Sequence, residues 1–317
     1  FEARINYVND VCMEGSFPEK YFTVFPWLLA YIGKNKESDE IVTVLWYYKW
    51  VIMIMHEFPS ISKVQIENAL EDLRKRYNEF GSTDKVYHDY SREAYQNLGD
   101  YEKSAFHNQK HLAFKKRDHL DDCDACVVNR IVTFYIVTGD IKEALKRAQP
   151  ILTGKKTCTH IPKDTYTNFI TPLLVQKQND LASDFAEKLE KTLKRSKYGG
   201  DFTNIYPLIL YHCVHARMSS ALKLFEKYFG DVFIAKAPDR KFNFYCAAIN
   251  MLTRVEKTTI KLKLPQNFIL FNKDNVYEVS ALTGWLEEET NKIAAMFDKR
   301  NGNDKYKKAK AKILSIK

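Results

Sequence analysis

Glycine and proline are sparse, 11 and 9 in 317 residues, and they fall where helices should end rather than inside elements. That scarcity excludes a collagen-like chain, a flexible linker and a loop-rich fold. Cysteine is sparse too. Six in a chain of this length do not build a disulfide scaffold, and the cytoplasm is the expected location. No secretory signal is visible. Long apolar runs are missing as well: the most apolar stretch, Ile41 to Met55, is interrupted by Lys49 and is too short to span a bilayer. The chain has no G-x-x-x-x-G-K-[ST] phosphate loop, no G-x-G-x-x-G and no G-x-S-x-G, so nothing asks for an enzyme. Strand-like alternation is confined to Thr258 to Leu264, which stops at Pro265.

Aromatic residues are abundant. With 20 Phe, 19 Tyr and 4 Trp, extended disorder is excluded, and 45% hydrophobic against 28% charged residues supplies core for a globular protein. The net charge of +9 is unevenly placed. Residues 299–317 carry eight Lys or Arg against one acid, a balance of +7, which leaves +2 for residues 1–298. A broad nucleic-acid groove is therefore not expected on the body. The basic tail, Lys305 to Lys312, reads as a solvated and partly frayed last helix, or else as a contact for an acidic partner.

A repeat organises the middle of the chain. Leu98-Gly99-Asp100-Tyr101, Thr138-Gly139-Asp140-Ile141 and Gln178-Asn179-Asp180-Leu181 each precede a helix start, and Gly99 to Gly139 and Ile141 to Leu181 are both 40 residues. Met218, 37 residues after Leu181, opens a degenerate fourth unit. A fixed period of this size signals stacked helical hairpins. Asp100, Asp140 and Asp180 are expected to cap the helices, and Ala105, Ala144 and Ala186 to let helices approach closely. The Gly or Asn at the turn supplies a permissive backbone.

The expectation is an all-α fold in three parts: an N-terminal helical segment over 1–80, repeats over 83–254, and a C-terminal capping helix with the basic tail over 265–317. Helices are predicted near 2–13, 18–33, 38–57 and 62–80, the last opened by a Ser62/Gln65 capping box and carrying an Ile66, Leu70, Leu73, Tyr77 stripe. Nine more fill the repeats, and a final amphipathic helix runs from about Val276 to Lys299. The combination resembles the tetratricopeptide repeat. Because that repeat is usually 34 residues long, the resemblance is to the wider tetratricopeptide-like superfamily. It implies a solenoid of antiparallel hairpins whose concave face holds a protein or peptide.

One segment carries metal-type chemistry. Cys123 and Cys126 form a C-x2-C pair at a helix start, with Cys158 and His160 about one repeat later in a polar loop. Three sulfurs with His160, or with the Asp122 carboxylate, match a tetrahedral zinc site; unpaired thiols or a redox pair use the same residues. The run Asp118 to Cys126, the helix end Ala148-Gln149-Pro150-Ile151-Leu152-Thr153-Gly154 and the following Cys158 resemble a family of uncharacterised bacterial repeat proteins. Phe297 to Asn303 is similar to that family's C-terminal end, so the resemblance spans about residues 85–304. His160 stands where that family tends to carry an acid. The remaining histidines, including His107 and His111 one turn apart and His212 with His215 on one face, read as packing residues.

The resulting expectation is a non-catalytic scaffold that binds a protein or peptide. Tyr87, Tyr90, Asn129, Thr133, Tyr166 and Asn168 are candidate groove residues on the first helices of the hairpins. Two alternatives accompany it: a zinc- or thiol-dependent regulator, and a nucleic-acid contact through the C-terminal tail.

Overall fold

The computed structural model describes residues 1–14, 17–36, 40–195 and 202–317. Its described residues form fifteen α-helices and one two-stranded antiparallel ribbon, an all-α fold in which neighbouring helices pack as hairpins. The predicted helix start at 38 lies outside the described residues. The chain divides into two compact units, Phe1–Asp140 and Ile141–Lys317.

The first unit contains α1 (Glu2–Tyr7), a π-helical turn (Val8–Glu14), a 3-10 turn (Pro18–Lys20), α2 (Tyr21–Lys34), α3 (Glu40–Met55), α4 (Lys63–Glu79), α5 (Asp84–Leu98), α6 (Tyr101–Ala113) and α7 (Asp124–Val137). The capping box that opens α4 is present: Gln65 N donates to Ser62 Oγ at 3.2 Å, and Ser62 N donates to Gln65 Oε1 at 2.8 Å. The stripe Ile66, Leu70, Leu73 and Tyr77 is buried. It meets Phe25 and Leu28 of α2 and Val44 and Leu45 of α3 in one apolar cluster. Helix α5 then pairs with α6 and also packs on α3, α4 and α7.

The second unit contains α8 (Ile141–Leu152), α9 (Lys163–Val175), α10 (Asn179–Arg195), a 3-10 turn (Phe202–Asn204), α11 (Tyr206–Val214), α12 (Met218–Ile234) and α13 (Pro238–Leu252). These are followed by β1 (Thr259–Lys261), β2 (Val276–Glu278), α14 (Val279–Asn301) and α15 (Lys305–Leu314). Hairpins α9–α10 and α11–α12 stack through α11, and α13 joins them to α14 and α15. An aromatic cluster of Phe229, Phe233, Phe268 and Tyr245 surrounds Trp285 of α14.

Four interhelical turns share one backbone geometry, in a register that differs from the one the motifs suggest. A left-handed residue stands two positions before each second helix: Gly99 (φ 77°), Gly139 (90°), Lys177 (58°) and Ala216 (54°). The intervals are 40, 38 and 39 residues. Each turn closes with the same bond, from Asp100 N to Tyr95 O, Asp140 N to Tyr135 O, Gln178 N to Leu173 O and Arg217 N to His212 O, at 2.8–2.9 Å. The fourth residue of each following helix, Ser104, Ala144, Ala182 or Ala221, is fully buried. A small side chain there permits close helix approach.

Three expectations are corrected by this register. Asp100 does cap α6, accepting from Lys103 N at 3.2 Å, but Asp180 is the second residue of α10 and not its cap. Lys177, not Asn179, supplies the left-handed turn. Ala105 is exposed, and Ser104 takes the packing place. Its hydroxyl donates to Arg92 O at 2.9 Å, which makes a polar residue tolerable there.

Two C-terminal expectations also change. Val276–Glu278 is a strand, not the start of a helix, because it pairs with β1 in the register Thr259↔Glu278, Ile260↔Tyr277, Lys261↔Val276. The tail is not frayed. Helix α15 docks through buried Tyr306 and Ile313, with Ile316 buried just beyond it. The Tyr306 hydroxyl donates to Asp239, its ring stacks on Phe297, and Asn250 Nδ2 donates to Ile313 O and Ile316 O. Lys310 turns inward to Thr290 Oγ1 and Asn291 Oδ1, both at 2.7 Å.

Candidate metal centre and the buried charges behind it

The C-x2-C segment is presented by a rigid approach, Asp118 to Asp122, in which every carboxylate is used. Asp118 accepts from Ser82 Oγ, Thr83 N, Thr83 Oγ1 and Leu120 N at 2.6–3.0 Å. Burial alone would raise its pKa, but these donors together pull it down to about 2. Asp121 accepts from Asp118 N at 2.8 Å and from Lys85 Nζ at 2.5 Å. Asp122 pairs with Lys49 Nζ and Arg130 Nη2, both at 2.7 Å, and accepts from the Tyr90 hydroxyl.

Lys49 explains the interruption in the apolar run of α3. Its ammonium is fully buried over the Trp46 ring, 3.3 Å from the centroid, and donates to Leu120 O at 2.8 Å. Burial lowers its pKa to about 8, against the opposing pull of Asp122. The same group of charges continues into α5. Arg130 Nε donates to Asp89 at 2.9 Å, Arg92 pairs with Asp89, and His111 Nδ1 lies 3.9 Å from it. Burial raises the Asp89 pKa, but Arg130 and Arg92 hold the carboxyl well below the usual range. Glu93 is pushed upward by burial despite Arg130. Sequence reasoning missed this lattice; a lysine in the most apolar run was its visible signal.

With Asp122 anchored, Cys123 becomes the residue before α7, and Val127 N donates to its carbonyl at 3.1 Å. Cys126 follows one turn later, and both are half-buried. Cys158, also half-buried, sits in a turn in which its N–H donates to Ile161 O at 3.0 Å. Cys123 and Cys126 belong to the first unit and Cys158 to the second. A C-x2-C pair one turn apart at a helix start is a donor set suited to a tetrahedral zinc ion with Zn–S bonds of about 2.3 Å.

The two expected fourth ligands differ in their surroundings. The Asp122 carboxylate is taken by Lys49, Arg130 and Tyr90. His160 is exposed.

The candidate groove residues divide. Tyr87 is buried with its hydroxyl on Glu71 Oε1 at 2.5 Å, and Tyr90 is buried on Asp122, so both serve the interior. Asn129 and Thr133 are half-buried on α7, where the Thr133 hydroxyl donates to Asn129 O at 2.9 Å. Tyr166 and Asn168 are half-buried on α9, and the Tyr166 ring lies 6.0 Å from that of Phe185.

His107, His111, His212 and His215 pack, as their lack of partner motifs suggests. His107 and His111 are buried, and His88 Nδ1 approaches His107 Nδ1 at 2.9 Å. His212 Nε2 meets Glu190 at 3.1 Å and His215 Nε2 meets Ser183 Oγ at 3.1 Å. No described helix is long and apolar enough to cross a membrane. In comparison with known protein families and curated proteins, no family model and no curated protein matches the chain.

Proposed function

We propose that this chain is a non-catalytic, tetratricopeptide-like scaffold that binds a protein or peptide, and that Cys123, Cys126 and Cys158 hold a structural zinc ion. The observation that carries the metal reading is the pair Cys123 and Cys126, two half-buried thiols one turn apart at the start of α7. Soft thiolates select zinc among the common divalent ions that lack redox chemistry. The anchored Asp118–Asp122 approach supports it, because a pre-set ligand pair loses little conformational entropy when the ion binds. A reducing compartment such as the cytoplasm would keep the thiols available.

The partner reading is supported by the helical hairpins α5–α6, α9–α10 and α11–α12, the packing unit of helical-repeat binding proteins. A second reading, thiol-dependent regulation, is supported by the half-buried state of all three cysteines, which leaves them open to chelators and oxidants. The test is elemental analysis of protein purified under reduction, wild type beside Cys123→Ser and Cys158→Ser. About one zinc per chain, lost in either variant, is the expected result. Wild type without zinc after refolding with the metal would overturn the site, and thiol counting after mild oxidation would then test the redox reading.

A further inference from the structure

The ribbon in the second unit has one edge that is open to a partner. Val279 N donates to Thr258 O and Leu262 N donates to Asn275 O, both at 2.9 Å, on either side of the Ile260↔Tyr277 pair. In an antiparallel ladder the backbone groups of alternate residues face the same side. Residues 258, 260 and 262 therefore face β2, and the N–H and C=O of Thr259 and Lys261 point away from it.

That outward edge borders a groove of about 780 Å³ whose opposite wall is α12. Met218 and Leu222 of α12 and Val255 offer half-buried apolar surface. The charges around it are unequal. Lys223, Lys257 and Lys261 are exposed and make no ion pair among the described residues, whereas Glu226 already accepts from Lys263 N at 2.9 Å. Arg254 adds a further cation that already donates to Cys213 O and Ile316 O, and Glu256 is the other acid. Three exposed lysines stand against two acids.

We propose that an extended acidic segment of a partner protein adds as a third strand to β1, in the groove between β1 and α12. The segment would hydrogen-bond to Thr259 and Lys261 along its backbone. Alternate side chains would go to Leu222 and Val255 on one face and to Lys223, Lys257 and Lys261 on the other. Exposed lysines guard this edge against uncharged strands of other chains, and the same charge selects an acidic one. This inference deepens the partner-binding part of the proposed function and is independent of the zinc.

The probe is a fluorescein-labelled Glu-Val-Glu-Val-Glu-Val-Glu peptide, titrated against the full chain and read by anisotropy. Saturable binding is expected, weakened at least tenfold when alternate peptide amides are N-methylated along the docking edge. Lys261→Pro should weaken it similarly, because proline removes the outward N–H without touching the ladder to β2. A Lys223→Glu, Lys257→Glu variant should lose binding through charge alone. Hydrogen exchange at Thr259 and Lys261 should slow when peptide is present. Equal binding of the N-methylated peptide, or of a Gly-Glu peptide of the same charge, would overturn strand addition. So would unchanged exchange at both amides. Zinc content measured on the same samples separates the two readings, since zinc-free protein that binds the peptide sinks only the metal.

Discussion

Replacing Lys49 by Met tests whether the buried charges on α3, α5 and α7 act as one unit. Methionine keeps the length of the side chain and its contact with Trp46 but removes the partner of Asp122, 2.7 Å away. Breaking a buried pair by removing one member costs about 3–5 kcal/mol. Arg130 and Tyr90 remain on Asp122, so the low end applies, about 3 kcal/mol. With a urea m-value of about 2 kcal/mol/M, the midpoint of the first unit should fall by roughly 1.5 M.

The pH dependence sharpens the test. Lys49 falls from 10.5 to about 8 in the folded protein, so between these values the unfolded chain binds more protons and stability rises with pH. The shift corresponds to about 3 kcal/mol of unfavourable burial below pH 8, relieved progressively above it. Wild type should therefore gain stability relative to Lys49→Met between pH 8 and 9.5. The assay is urea unfolding followed by tryptophan fluorescence and by circular dichroism, in wild type, Lys49→Met, Asp122→Asn and the double variant. The double variant should cost at least about 2 kcal/mol less than the two single variants added together. Strictly additive singles, with no difference in pH profile, would refute the coupled lattice.

Two further outcomes follow from local geometry. Burial holds His107 down to about 4 and also lowers His88. The unfolded chain takes up protons first as pH falls below about 6.5, so the first unit should lose up to about 3 kcal/mol between pH 6.5 and 4. His107→Phe should flatten that part of the thermal-melting profile; an unchanged slope would exclude this pair as its source. Ala216 has a left-handed φ of 54°, a conformation that costs an L-residue about 1–2 kcal/mol. Ala216→Gly should raise stability by about 0.5–1 kcal/mol, and a lower melting temperature would show that the turn is not strained.

Much of the helical layout was legible because its signals are local. The capping box at Ser62 and Gln65, the Ile66 to Tyr77 stripe and the glycine turns at 99 and 139 each depend on residues within a turn or two of one another. The third and fourth turns were misaligned or incomplete, because Lys177 and Ala216 adopt the glycine conformation without being glycine. Residues 305–317 looked like a solvated tail because lysines dominate them, yet buried Tyr306, Ile313 and Ile316, with the polar contacts of Asn250 and Lys310, dock α15.

At the site, the C-x2-C pair and the later cysteine were visible as residue types, and spacing along a helix start already puts two sulfurs on one side. What spacing could not say was which neighbour completes the set. Asp122 is chemically able to ligate, but a lysine and an arginine from other helices claim it first. Tyr87 and Tyr90 carry the polar tips of groove residues, and their hydroxyls are spent inside.

By itself, then, the sequence determined the all-α class, most of the helices and the capping box at Ser62, since these follow from hydrogen bonds and side-chain periodicity over a few residues. Only the tertiary structure decided the burial of Lys49, which meets the carbonyl of Leu120 from 71 residues away. It likewise decided the anchoring of Asp122 and the docking of α15. Desolvation and pairing of charges depend on what surrounds a group in space, and chain order does not encode that directly.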